Sequence, residues 1–369
     1  MSSSLLLTAA AEAVPTASSS GADLTTIATP MMWLITIAAV IALIVFDFVF
    51  THKPHEPTMR EATWWTVFYI ALPCIFGGWL WFEYGHEEGV LFYSGYIVEK
   101  ALSVDNLFVF IVILAGFAVP RPLRQRVLLW GVAGALVLRG IFIAVGAGLI
   151  ARFSWVFFIF GLILLLTAVK VVRDAVRGVD EEPDPGQLPV VRLVRKMWPV
   201  SDGYVGTHMV VKQAGRRVIT PLAVVVAAIM GTDVLFAVDS VPAVFGITHD
   251  PYLVFTTNAF ALLGLRALYF VLEGSLRTLR YLPYGLGVIL IFIAVKLVLH
   301  GTHLYVPSVP DIEPVPSLIV IAGILAITIA ASVWKTKQEQ RAFIAARLAA
   351  AEAGDDGREP SADAGAQKD

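Results

Sequence analysis

Cysteine is almost missing from this chain. Cys74 is the only one in 369 residues, so no disulfide can form within it, and its apolar surroundings predict a small buried hydrophobe. Charge is scarce as well. Only 15% of the residues are Asp, Glu, Lys or Arg, against about 25% in soluble domains. With 27 basic and 29 acidic residues the net charge is −2, which leaves no basic field for nucleic acid. Residues 1–30 contain no Lys or Arg. They lack the positive head of a secretory signal and read as a short disordered tail. The segment Val218–Ile247 has no Lys, Arg, Glu or His.

What is there is apolar: 57% of the residues are hydrophobic and the mean hydropathy is +0.77. Nine segments reach the roughly 20 apolar residues needed to cross a bilayer. They are Met31–Phe50, Trp64–Phe82, Val90–Phe117, Val127–Ala151, Phe153–Val172, Val218–Ile247, Tyr252–Leu272, Tyr284–Leu299 and Val315–Trp334. Only Arg152 separates the fourth from the fifth, which predicts a tight helical hairpin. The expected fold is therefore an all-α polytopic membrane protein of about nine transmembrane helices, a transmembrane domain over residues 31–334 with a C-terminal tail over 335–369.

Lys and Arg alternate between the connections. Lys53 and Arg60, then Arg121, Arg124 and Arg126, the basic loop 173–217, Arg277 and Arg280, and Lys335, Lys337 and Arg341 all fall on one side. Arg152 is the exception. By the positive-inside rule the N-terminus lies outside and the C-terminus in the cytoplasm. Within the central loop, Asp180–Gly186 reads as an exposed linker. Leu188–Trp198 reads either as a helix on the membrane surface or as a solvated loop.

Two apolar segments carry acids. Glu99-Lys100-Ala101-Leu102-Ser103-Val104-Asp105-Asn106 aligns without a gap on Asp233-Val234-Leu235-Phe236-Ala237-Val238-Asp239-Ser240. Arg139 in span four matches Arg266 in span seven. Gly161 and Lys170 in span five match Gly287 and Lys296 in span eight. The same order thus occurs twice, over about 90–172 and about 218–299. Three spans is an odd number, so the second unit enters the membrane from the opposite side. That is an inverted 3+3 repeat, the build of many secondary transporters.

A carboxylate near the bilayer centre is disfavoured by about 2.5–3.5 kcal/mol even on the lenient scale, so these acids need a reason. Glu99, Ser103 and Asn106 share a helix face, as do Asp233 and Ser240. Asp105 and Asp239 sit off those faces, and a kink at Pro242 would bring Asp239 round. The candidate ligands are Asp105, Asp233, Asp239, Asn106, Ser240 and Glu99, with Thr232 and Asn258 behind them. Neither motif holds Cys or His, and an all-oxygen set suits a hard divalent cation such as Mn²⁺, Mg²⁺ or Ca²⁺. Lys100, Arg139 and Arg266 would balance the charge. The alternative is that each acid only pairs with one of these cations. Lys170 and Lys296 read as interfacial or as switching partners, Asp47 and Glu83 as interfacial. His86, His249, His300 and His303 fall in loops without ligand spacing. No nucleophile–base pair or cofactor fingerprint points to an enzyme.

The two acidic motifs, together with Asn258-Ala259-Phe260-Ala261-Leu262-Leu263-Gly264-Leu265-Arg266-Ala267-Leu268-Tyr269-Phe270, resemble the signatures of the TerC family over about residues 31–335. The resemblance implies a bacterial plasma-membrane protein related to the LysE-type exporters. It also implies manganese efflux, metal supply to exported proteins and tellurium resistance. It selects Mn²⁺ as the transported ion, where the ligand chemistry left Ca²⁺ and others open. Asp105 and Asn106, headed by Glu99, match the first family motif, and Asp233 and Asp239 the second. Several relatives carry Glu where this chain has Met230. Besides export, the family reading allows an adaptor that passes metal to proteins at the secretion machinery, or a tellurium-resistance component that does not itself transport.

Overall fold

Prolines and small polar caps set where the helices begin. α2 (Met59–Glu83) opens on Thr58, whose hydroxyl accepts from the Glu61 N–H at 3.2 Å, the Thr-x-x-Glu arrangement of a capping box. α4 (Arg121–Arg152), α7 (Pro221–Phe245), α8 (Pro251–Leu263) and α10 (Leu282–His303) each carry Pro in the first two positions, where its missing N–H removes no bond. Asp250 caps α8 by accepting from the Tyr252 N–H at 2.8 Å. The remaining long helices are α1 (Pro30–Phe50), α3 (His86–Gly116), α5 (Val156–Arg177) and α11 (Pro314–Asp355).

This computed structural model describes residues 26–50, 58–177, 185–213, 216–272 and 281–355. Most of the expected N-terminal tail, the end of the C-terminal tail, most of the Asp180–Gly186 linker, Lys53, Arg277 and Arg280 lie outside that set, as does the side chain of Asp105. Among the described residues eight segments are long and apolar enough to cross a membrane. α3, at 31 residues, joins them in length, its hydropathy lowered by Glu99, Lys100 and Asp105. Large apolar side chains cover the outside, among them Leu34, Trp64, Ile75, Val137, Leu162 and Ile327, as expected where the solvent is lipid. Cys74 is exposed on this surface rather than buried; α2 turns that face away from its neighbours.

The central connection is more structured than a loop. It holds a 3-10 turn, the short helix α6 (Pro189–Met197) and an antiparallel pair, β1 (Val210–Gln213) with β2 (Arg216–Ile219). Val191 of α6 is fully buried, and Val190 occupies the space a side chain on Gly231 of α7 would need. The hairpin between α4 and α5 is short, yet α5 packs chiefly on α10 and α7. Span seven, Pro251–Val271, passes from α8 to α9 (Leu265–Leu272) at Gly264, a single residue with helical φ and ψ. Conversely, α3 and α7 run on without a break, the latter through Pro242.

Packing is reciprocal between the two triplets. α3 lies on α8, α4 on α7, and α5 on α10. At the α5–α10 seam a methyl group on Gly161 would fall on Val298 and the Ala294 carbonyl. One on Gly287 would fall on Val172, with the Ala168 carbonyl near. Each contact maps onto the other by a shift of 126 positions, so the two glycines face each other's helix in the same way. The helices run antiparallel: Phe157 meets His300 at one end, and the Tyr284 hydroxyl bonds the Ala175 carbonyl at 2.9 Å at the other.

Candidate metal-transport site

Arg139 is the hub of the interior. It is 0% exposed and comes from α4, between the acids of α3 and α7. Its Nε and Nη2 donate to the two carboxylate oxygens of Asp233, each at 3.1 Å. Its Nη1 donates to Glu99 Oε1. Asn106, with its amide oriented to suit both neighbours, accepts from Nη2 at 3.1 Å and donates to the Leu102 carbonyl at 3.2 Å. The planar guanidinium thus joins three helices in one charge-assisted network. Gly131 and Gly134 permit it, since Ile229 and Met230 of α7 fill the space their side chains would take.

The other expected residues divide. Asp239 is partly buried and within electrostatic reach of Arg139 and Glu99. Ser103 and Ser240 are buried on α3 and α7 with no partner for their hydroxyls, Asn258 is buried on α8 with neither amide atom bonded, and Glu99 Oε2 is likewise unpartnered. Buried polar atoms are nearly always satisfied, so a concentration of orphans on three packed helices marks a polar site. Thr232 does not contribute, because its hydroxyl is spent on the Ala228 and Ile229 carbonyls at 2.6 and 3.0 Å. Among the described residues no three His, Cys, Asp or Glu side chains already converge as a metal cluster. In this arrangement the guanidinium takes both Asp233 oxygens and one of Glu99.

Two of the three expected charge-balancing residues lie elsewhere. Arg266 donates to Asp47 of α1 at 2.9 Å, both buried, with Tyr69 beside them. Asp47, near the end of α1, is therefore buried inside the protein and held by Arg266. Lys100 turns off the acidic face and donates to the Ala261 carbonyl at 3.4 Å.

A second polar cluster joins two histidines whose spacing in the sequence gave no sign that they meet. His249, from the α7–α8 connection, and His300, from the end of α10, have ring centroids 4.2 Å apart, and Phe157 lies against both. His300 Nδ1 is 2.7 Å from Asp311 Oδ2. They border a cavity of about 330 Å³ together with Glu87 and Lys296. Burial, and after it the neighbouring His300 and Lys296, pushes His249 down to about 3. Burial alone would raise Asp311, but the His300 contact holds its carboxyl below the usual range. Positions 249, 300 and 311 are too far apart for spacing to reveal them.

Residues 84–340 match the model of the family described as "Integral membrane protein TerC family". An uncharacterized membrane protein of Myxococcus xanthus is 38% identical over 312 residues, covering 84% of this chain and 94% of that protein. One of Mycobacterium tuberculosis strain H37Rv is 41% identical over 331 residues, covering 87% and 83%. The Alx protein of Escherichia coli K12, whose name carries the suggestion of a membrane-bound redox modulator, is 36% identical over 319 residues, covering 84% and 96%. No solved structure matches the chain.

Proposed function

The chain belongs to the TerC family of integral membrane proteins, and from that premise we propose that it exports a hard divalent cation, Mn²⁺, across the bacterial plasma membrane. The single observation that carries the reading is the Arg139 network set among unpartnered buried oxygens. With every carboxylate ionised, Glu99, Asp105, Asp233 and Asp239 carry −4 against the +1 of Arg139, an excess of −3, of which one dication neutralises two. The donors are all oxygen, which suits Mn²⁺ and disfavours copper. The choice of Mn²⁺ over Ca²⁺ rests on the family resemblance.

In this reading cargo and arginine compete. The cation takes the Asp233 and Glu99 oxygens as the guanidinium withdraws, with Asp239, Asn106, Ser240 and Asp105 completing the shell. When the cation leaves, Arg139 returns and the acids are never left bare in a low dielectric, where an unpaired buried charge is strongly unfavourable. The reciprocal α3–α8, α4–α7 and α5–α10 packing supports an inverted repeat, and rocking of one triplet against the other would open the site to alternate sides. The charge pattern of the connections puts the N-terminus and the His249–His300 cavity outside. Protons returning on the acids would complete the cycle.

The test is the purified protein in sealed vesicles, comparing Mn²⁺, Ca²⁺ and Zn²⁺ flux with and without a pH gradient. Saturable Mn²⁺ flux, lost in Asp239→Asn while the thermal midpoint is kept, is expected. Mn²⁺ binding without flux would favour the adaptor role, and neither binding nor flux would end the proposal.

A further inference from the structure

The two helices that carry the acidic motifs, α3 and α7, pack against each other, and a cavity lies at each end of the pair. One, of about 460 Å³, is lined by Phe117, just past the end of α3, and by Pro221 and Val224 in the first turn of α7. The other is the His249–His300 cavity of about 330 Å³. It is lined by Gly246, just past the end of α7, and by Glu87 and Leu91 near the start of α3. The helices therefore run antiparallel. The 134-position shift that lays Glu99 on Asp233 also lays Glu87 on Pro221, so the two cavities occupy matching places at opposite ends of one seam. The acids stand between them. At 1.5 Å per residue, Asp233 is about 18 Å beyond Pro221, and Asp239 is about 10 Å short of Gly246.

The two ends are built differently. Arg195 and Trp198, at the end of α6, line the first cavity beside Pro221. Val190, at the start of α6, lies against Gly231, two residues from Asp233. α6 thus runs alongside α7 from the cavity nearly to the acids, and Val191 is fully buried there with Val225 and Ile229 of α7. The 3-10 turn before α6 packs on α3, so this segment is wedged on both helices of the seam. Irregular backbone at such depth is tolerated in a bilayer only where protein buries it or where it lines a water-filled space. Gly186 and Gln187 of the turn are exposed, which leaves the water-filled space. The second cavity is bordered by three carboxylates, Glu87, Asp311 and Glu313, against one ammonium, Lys296, a balance that draws cations.

We propose that the two cavities are the cytoplasmic and outer mouths of one cation route along the α3–α7 seam, and that α6 is the plug of the cytoplasmic mouth. The positive-inside rule puts Phe117 and Pro221 on the cytoplasmic face and Gly246 on the outer one. Entry requires α6 to lift from Gly231, and release passes Glu87 and Asp311. The proposal rests on the transporter reading and adds to it where the ion enters and leaves.

The experiment labels single cysteines with a charged, membrane-impermeant methanethiosulfonate in the full chain carrying Cys74→Ser. Whole cells present the outer face and inverted vesicles the cytoplasmic one. Val224→Cys should react only in inverted vesicles and Ile247→Cys only in cells, although both positions are buried. Phe117→Cys and Leu91→Cys replace either one that does not insert. Thr232→Cys, beyond the plug, should react slowly from the cytoplasmic face. Val190→Ala with Val191→Ala should speed that reaction about tenfold, the factor that 1.4 kcal/mol makes in an opening equilibrium. Val224→Cys and Ile247→Cys reached from one face, either reached from neither, or a Thr232→Cys rate indifferent to α6 would overturn the proposal. Mn²⁺ flux is not read in this assay. Labelling as expected without flux would end the export reading and leave the two mouths standing, and flux with both cysteines on one face would do the reverse.

Discussion

Arg139→Met is the most informative perturbation of this molecule. The substitution keeps the side chain's bulk but removes the charge shared by Glu99 and Asp233, both 0% exposed. Breaking a buried ion pair by deleting one partner destabilises by about 3–5 kcal/mol, because the other charge stays uncompensated. At roughly 2–4 °C per kcal/mol, the unfolding midpoint should fall by roughly 6–20 °C. The triple variant Arg139→Met, Glu99→Gln, Asp233→Asn removes the cation together with both anions and should recover most of that loss, since neutral replacements of buried ionic groups are often as stable as the original. A third arm joins energetics to function: if a dication takes the place of the guanidinium, Mn²⁺ should raise the midpoint of Arg139→Met more than that of the wild type. Differential scanning fluorimetry in detergent reads all three. An Arg139→Met protein as stable as the wild type, or a triple variant as unstable as the single, would refute the assignment of Arg139 as the charge that holds this interior together.

The remaining predictions address other parts of the structure. Asp47→Asn should destabilise by about 3–5 kcal/mol by leaving Arg266 without its carboxylate, and the double variant with Arg266→Gln should regain most of the loss in the same assay. Gly161→Leu and Gly287→Leu should each cost about 1–3 kcal/mol or more through overpacking at the α5–α10 seam; similar losses from the two are expected because each glycine faces the other's helix in the same way. At the His249–His300 cavity, His249 stays neutral in the fold, its pKa lowered to about 3 from 6.5. The unfolded chain then binds the extra proton between those values, so stability falls as pH drops below about 6.5, by at most about 1.4 kcal/mol per pH unit. His249→Asn should flatten the dependence of the midpoint between pH 7 and 5. Asp311 adds to it only at lower pH, since its depressed carboxyl pKa keeps the His300 contact until pH falls through that value.

Much was legible because apolar runs and their punctuation are local. The length of the segments follows from side-chain chemistry alone. The doubled order of acid, arginine and Gly–Lys could be read because identical problems recur at matching positions. Span seven was read as continuous, and Pro251–Val271 is one segment long and apolar enough to cross a membrane, with only Gly264 between α8 and α9. Pro242, the residue expected to bend a helix, sits inside an unbroken α7.

The sequence by itself determined that this is a helical membrane protein with acids inside apolar spans, because hydrophobic length and intramembrane charge are properties of a segment. Which cation answers which acid was decided only by tertiary structure. Arg139 and Arg266 occupy matching places in the two triplets, yet one holds Glu99 and Asp233 and the other reaches to Asp47 on α1. Partners are chosen by which helices lie within a few ångströms, and no spacing along the chain encodes that.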